Sequence, residues 1–180
     1  MRTILILVVG VTGVGKSTLC RLYTHQSESS THLLASTFAK MVNGVDPNQT
    51  RLAASIRREV DRCSKTLALV DGHLIINGKR IPEEAIRILT PRGIVVVTDN
   101  PNEILKRRQF DKTKIRPMEE TDIIKRNQAE EINFAQKLST DLGMPLIVLK
   151  EASLESFNVA VREIYESTGP DDSPPPTITA

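Results

Sequence analysis

The chain has 180 residues with 24 Lys and Arg against 22 Asp and Glu, a formal net charge of +2. That length suits one α/β domain with a sizeable core, and the near balance leaves no global basic face for duplex nucleic acid or an anionic membrane. Aromatic residues make up 3% and Trp is absent, so a stacking platform for single-stranded bases is disfavoured and nucleic acid is not the expected partner. The two cysteines, Cys20 and Cys63, stand far apart in no zinc or redox spacing and are expected to be small buried apolar residues.

The chain opens on an apolar run, Ile4 to Val9, that reads as a buried strand. It lacks a small-residue cleavage site, and no apolar run is long enough to span a bilayer, so a cytoplasmic location is expected. The run passes directly into Gly10-Val11-Thr12-Gly13-Val14-Gly15-Lys16-Ser17-Thr18, two glycines flanking four residues and then Lys and Ser. This is the phosphate-binding loop pattern, in the strand-then-helix context that the motif requires. Glycines let successive N–H groups converge on a polyphosphate, the helix dipole adds to the attraction, Lys16 reaches the β- and γ-phosphates, and Ser17 offers its hydroxyl to Mg²⁺. ATP and Mg²⁺ are the expected cofactors, with Gly13, Val14, Gly15, Lys16, Ser17 and Thr18 binding the nucleotide.

Next come a helix through Tyr23, a polar connection from Gln26 to Ser30, and a short strand expected at His32 to Ser36. One or two helical turns from Thr37 to Asn43 lead to an Asp46-Pro47 turn. A helix from about Asn48 to Ser64 carries Leu52, Ile56, Val60 and Cys63 on one side and Arg51, Arg57, Arg58, Glu59 and Arg62 on others. Thr66 to Val70 is a strand ending in Asp71-Gly72-His73. Asp71 has the placement of the carboxylate that holds Mg²⁺ opposite the loop serine, and His73 is a candidate for orienting the acceptor or a water.

Asn77-Gly78 between apolar flanks signals a hairpin over Leu74 to Ile81, and Pro82-Glu83-Glu84 suits a helix start. Ile94 to Thr98 is a further buried strand, Asn100-Pro101 opens a helix, and a long helix from about Met118 ends at Gly143. Pro145 to Leu149 is the last strand and Ala152 to Glu166 the last helix, with a Pro-rich, disordered tail expected over 167–180. Strands alternating with helices imply a doubly covered parallel sheet with its ligand at the strands' carboxyl ends. A dense basic run, Lys106, Arg107, Arg108, Lys112, Lys114 and Arg116, reads as a short lid over 107–117 whose cations neutralise a transferring phosphoryl group, or else as a solvated face.

The phosphate loop, Val70-Asp71-Gly72-His73, and Glu103 to Arg108 followed by Asp111, Thr113 and Arg116 resemble archaeal-type adenylate kinases and the related small P-loop nucleotide kinases and ATPases. The likeness continues through Gln128 and Asn133 and covers most of Met1 to about Leu149. It implies a P-loop three-layer α/β/α fold on a five-stranded parallel sheet over 1–166, with Asp71 and His73 beside metal and acceptor and Arg107, Arg108 and Arg116 in the lid. The Gln26 to Ser64 segment is shorter than the monophosphate-binding domain of the archaeal enzymes. Ser36, Thr37, Lys40 and Arg51, within the expected acceptor-binding helices of 36–64, are the candidates for contacting the acceptor. The leading expectation is a kinase moving the γ-phosphoryl group of ATP to a nucleoside monophosphate. The alternative is an ATP-hydrolysing switch or assembly factor acting on a protein or RNA partner, and a homo-oligomer stays open.

Overall fold

The computed structural model describes residues 2–41, 48–110 and 120–167. Five parallel strands form one sheet in the order β2-β3-β1-β6-β7: β1 Ile4–Val9, β2 Ser30–Leu34, β3 Leu67–Asp71, β6 Gly93–Thr98 and β7 Leu146–Lys150. A two-stranded antiparallel hairpin, β4 Ile75–Ile76 and β5 Lys79–Arg80, stands apart from it. The helices are α1 Lys16–Gln26, α2 Ala35–Met41, α3 Gln49–Arg62, α4 Glu83–Leu89, α5 Pro101–Phe110, α6 Thr121–Leu142 and α7 Leu154–Glu166.

The period of two along the central strands makes three layers. Ile4, Ile6 and Val8 of β1, with Leu67, Leu69, Val95 and Val97, pack against Leu19, Cys20 and Tyr23 of α1 and Phe157, Val161 and Ile164 of α7. Leu5, Leu7 and Val9, with Ala68, Val70, Ile94 and Val96, face Leu52, Ile56 and Val60 of α3, Ile86 and Leu89 of α4, and Phe134 and Leu138 of α6. Strands covered on both faces are continuously apolar, which is why β1, β3 and β6 read as unbroken hydrophobic runs.

Register places the chemistry. Val8 pairs with Asp71, so the end of β3 lies beside the point where β1 turns into the phosphate loop. Gly10 must be glycine there: its φ is +139°, and a Cβ would stand 2.3 Å from the Val97 carbonyl oxygen. Asn77 and Gly78, with φ of 50° and 73°, take the left-handed pair that a tight hairpin turn demands, as expected from sequence.

Several expectations shift. The second strand lies at Ser30–Leu34, because its partner β3 stops at Asp71, opposite Leu34; Ala35 and Ser36 therefore begin α2 instead of extending the strand. Arg57, expected on a polar face, is buried: its guanidinium spans from Asp61 to the Leu89 carbonyl and the Thr90 hydroxyl, tying α3 to the end of α4. Cys20 is fully buried, and burial pushes its thiol well up, but Cys63 is only half-buried and accepts from the Lys65 N–H through Sγ at 3.4 Å. The expected turns around Asn43 and Asp46-Pro47, residues 111–117 of the expected lid, the start of the long helix at Met118 and residues 168–180 of the expected tail lie outside the described residues.

Candidate active site

The site is built where β1 and β3 end side by side. The loop from Gly10 to Gly15 carries three glycines with positive φ, and α1 starts at Lys16 with Gly15 in the N-cap position and no side chain capping it. A Cβ on Gly15 would meet nothing within 4 Å, so this glycine borders open space, unlike Gly10. A glycine-lined concavity ending in an uncapped helix N-terminus is an anion site.

Lys16 is 5% exposed, and its Nζ donates to the carbonyls of Gly10 at 2.7 Å and Val11 at 3.0 Å. Its ammonium is thus held over the loop, already drawn out of bulk water. Val14 is buried beneath the loop, while Ser17 and Thr18 lie at its exposed edge. The Ser17 hydroxyl donates to Asp71 Oδ2. Burial alone would raise the Asp71 carboxyl, but His32, the Lys16 charge and the Ser17 hydroxyl outweigh it and hold the group below the ordinary carboxylate range. His32 Nε2 stands 3.6 Å from Asp71 Oδ2, with side chains that are both largely buried. One ionised carboxylate and one hydroxyl form the oxygen donor set that a hard cation such as Mg²⁺ accepts, since Mg²⁺ is usually held by one or two carboxylates with phosphates and waters.

His73 lies just past β3. Its Nε2 is 3.4 Å from Thr12 Oγ1 on the phosphate loop, and its Nδ1 is 3.8 Å from Glu131 Oε1 on α6. Glu131 is 3% exposed and accepts the N–H groups of Leu74 at 3.2 Å and Ile75 at 3.4 Å. Burial pushes its carboxyl up to about 6 against the lowering effect of those two donors and of Lys16.

Arg107 and Arg108 fall in the last turn of α5 and donate to carbonyls of the loop. Arg107 donates to Asp99 Oδ2 at 2.5 Å and to the Val14 carbonyl at 3.3 Å; Arg108 Nε donates to the Thr12 carbonyl at 2.8 Å. Gln128, 8% exposed, clamps the turn before α5: Asp99 N donates to its Oε1 and its Nε2 donates to the Asp99 carbonyl, both at 2.9 Å. Arg116 lies outside the described residues.

A cleft of about 640 Å³ runs from the loop into the space between α2, α3 and α4. Lys16, Ser17, Asp71, His73 and Arg107 line its polar end, and Leu52, Ile56, Ile86 and Leu89 its far end. Of the sequence candidates for the acceptor, Ser36 lines this cleft, whereas Thr37, Lys40 and Arg51 are exposed and outside its lining. A second cavity of about 420 Å³ opens on the other side of His73, lined by Thr12, Asn77, Arg108, Asn127 and Glu131 among others.

His32 and Glu131 were not singled out from sequence. Glu131 carries a signal all the same: Ile124, Gln128, Glu131, Ala135 and Leu138 mark the buried stripe of α6, and an acid on such a stripe needs a partner. His32 gives no comparable signal.

Residues 9–125 match the family model described as AAA domain. The adenylate kinase of Thermococcus onnurineus is 29% identical over 184 residues, covering 89% of this chain and 93% of that protein. That of Pyrococcus abyssi is 28% identical over 185 residues with the same coverage, and that of Thermococcus kodakarensis is 30% identical over 68% of this chain and 74% of that protein. Among solved structures, a sugar kinase from Janibacter is similar with a TM-score of 0.56 at 14% identity, over 96% of this chain and 99% of that one. The thymidylate kinase from Candida albicans follows with a TM-score of 0.55 at 12% identity, over 92% of each chain. Those two likenesses bear on the fold, a P-loop three-layer α/β/α architecture. The chain belongs to the AAA domain family, as a P-loop domain of the kinase type akin to the archaeal adenylate kinases.

Proposed function

We propose that the protein is an ATP- and Mg²⁺-dependent nucleotide kinase that transfers the γ-phosphoryl group of ATP to a nucleoside monophosphate in the cytoplasm. The observation that carries this reading is the continuous cleft, polar at the phosphate loop and apolar between α3 and α4, whose volume of about 640 Å³ suits small-molecule ligands. Relatives named adenylate kinase support the reaction class.

In this account the loop N–H groups and Lys16 bind the donor's phosphates, and Lys16 follows charge onto the β–γ bridge oxygen as that bond breaks. Ser17 and Asp71 hold Mg²⁺, which when bound offsets phosphate charge. The monophosphate's base lies against Leu52, Ile56, Ile86 and Leu89, and Ser36 contacts its polar part. The acceptor oxygen is already ionised, so the transfer needs no proton removed: a P–O bond forms to the acceptor, the bond to ADP breaks, and the cations of Arg107, Arg108 and Arg116 balance the moving charge.

The test is incubation of the protein with Mg²⁺·ATP and a panel of ribo- and deoxynucleoside monophosphates, following ADP and diphosphate products together. One diphosphate should form in step with ADP, and Lys16→Ala should abolish both. Lys16-dependent ADP without a phosphorylated acceptor would replace this reading with the hydrolysing switch.

A further inference from the structure

We propose that Glu131 is a positioning residue for phosphoryl transfer that acts through His73, fixing the imidazole with Nδ1 toward the α6 carboxylate and Nε2 toward the phosphate loop. Three segments distant in sequence converge to make this arrangement. Thr12 of the loop stands 3.4 Å from Nε2, and Glu131 Oε1 stands 3.8 Å from Nδ1. His73 also lines both cavities, so the tilt of its ring determines which nitrogen faces the cleft and which faces α6.

A carboxylate that is 3% exposed has a cost, which its two backbone donors, Leu74 N and Ile75 N, partly offset. Those donors are the two residues after His73. The same carboxylate therefore fixes the backbone that carries the imidazole and sets the field at its Nδ1. At 3.8 Å the contact is coulombic more than a hydrogen bond, and a nearby anion favours the tautomer with its proton on Nδ1. That leaves the Nε2 lone pair directed at Thr12 Oγ1, where it can accept the hydroxyl proton and orient the loop's side chain. An acid holding the tautomer of a working histidine through Nδ1 is a recurrent device in catalysis.

The kinetic arm of the test rests on the nucleotide-kinase reading; the spectroscopic arm does not. Long-range ¹H–¹⁵N spectra of the imidazole at about pH 8.5 report which nitrogen is protonated in neutral histidine. Wild type should give the Nδ1–H pattern at His73, and Glu131→Gln should lose it in favour of a mixture. In the transfer assay, Glu131→Gln should lower kcat about tenfold with the KM for ATP within about twofold, and Glu131→Asp should recover part of the loss. An Nε2–H pattern in wild type would overturn the proposal without any variant, which keeps it decidable should Glu131→Gln fail to fold. A fall in kcat with an unchanged imidazole pattern would also overturn it, as would unchanged kcat. If wild type makes no Lys16-dependent diphosphate, the kinase reading fails by itself and the spectra still decide the contact.

Discussion

The two ends of the cleft are built in opposite ways. At the phosphate-loop end, proposed to bind the donor, position is set by directional polar contacts: Lys16 on two loop carbonyls, the Ser17 hydroxyl on Asp71, and Arg107 and Arg108 on the carbonyls of Val14 and Thr12. At the far end, proposed to hold the acceptor, the walls are Leu52, Ile56, Ile86 and Leu89, whose packing is non-directional. Polyphosphate is the same in every nucleotide and can be met by fixed donors. An apolar wall accepts any ring of suitable shape, so in the proposed reaction the acceptor's identity would depend on volume and on a few polar groups such as Ser36.

The sharpest way to break the donor end is by its glycines. Gly10→Ala drives a methyl to 2.3 Å from the Val97 carbonyl and should cost about 3 kcal/mol or more, seen as a lowered Tm with loss of ATP binding. Gly15→Ala meets no protein atom and carries only the strain of φ +107°, about 1–2 kcal/mol. It should nonetheless weaken ATP binding at least about tenfold, because the methyl occupies the space the phosphates approach. Equal thermal losses in the two variants would contradict the assignment of Gly10 to packing and Gly15 to ligand approach.

A smaller effect concerns Glu131, the buried acid of α6 that accepts from Leu74 N and Ile75 N. Its folded carboxyl titrates near 6, above the ordinary 4.5, so the folded state binds more protons than the unfolded state between those values. The associated stability is fully present below about pH 4.5 and is lost as pH rises through about 6, an upper bound of about 2 kcal/mol. Urea denaturation should show wild-type stability, measured relative to Glu131→Gln, falling as pH rises from about 4.5 through about 6 and flat above about pH 7; a relative stability that rises over that window would contradict the assignment. The smallest change is expected outside the cleft: Lys40→Ala and Arg51→Ala, both exposed, should leave the KM of either substrate within about twofold.

The donor end was legible in the sequence because its chemistry is local. Strand, glycine loop and Lys-Ser helix start are contiguous, and Asp71 closes an apolar run whose register with β1 follows from two buried strands lying side by side. Asn77-Gly78 declared its turn for the same reason. Glu131 and His32 were not legible as site residues, since each reaches its partner only through the tertiary fold: His32 nears Asp71 because β2 pairs with β3, and Glu131 nears His73 because α6 brings it to the backbone of Leu74 and Ile75. Arg57 was misplaced because helical periodicity alone does not tell that α4 ends at its guanidinium. The acceptor candidates spread along Ser36, Thr37, Lys40 and Arg51 because polar residues on short helices carry no sign of which face meets a cleft.

The division of the cleft into donor and acceptor ends is tested most directly by initial rates of diphosphate formation for wild type and Ala39→Phe, a substitution on α2 that fills the acceptor end. The account predicts a KM for the monophosphate raised at least about tenfold with the KM for ATP within about twofold. A rise in the KM for ATP equal to that for the monophosphate, or no rise in either, would contradict it.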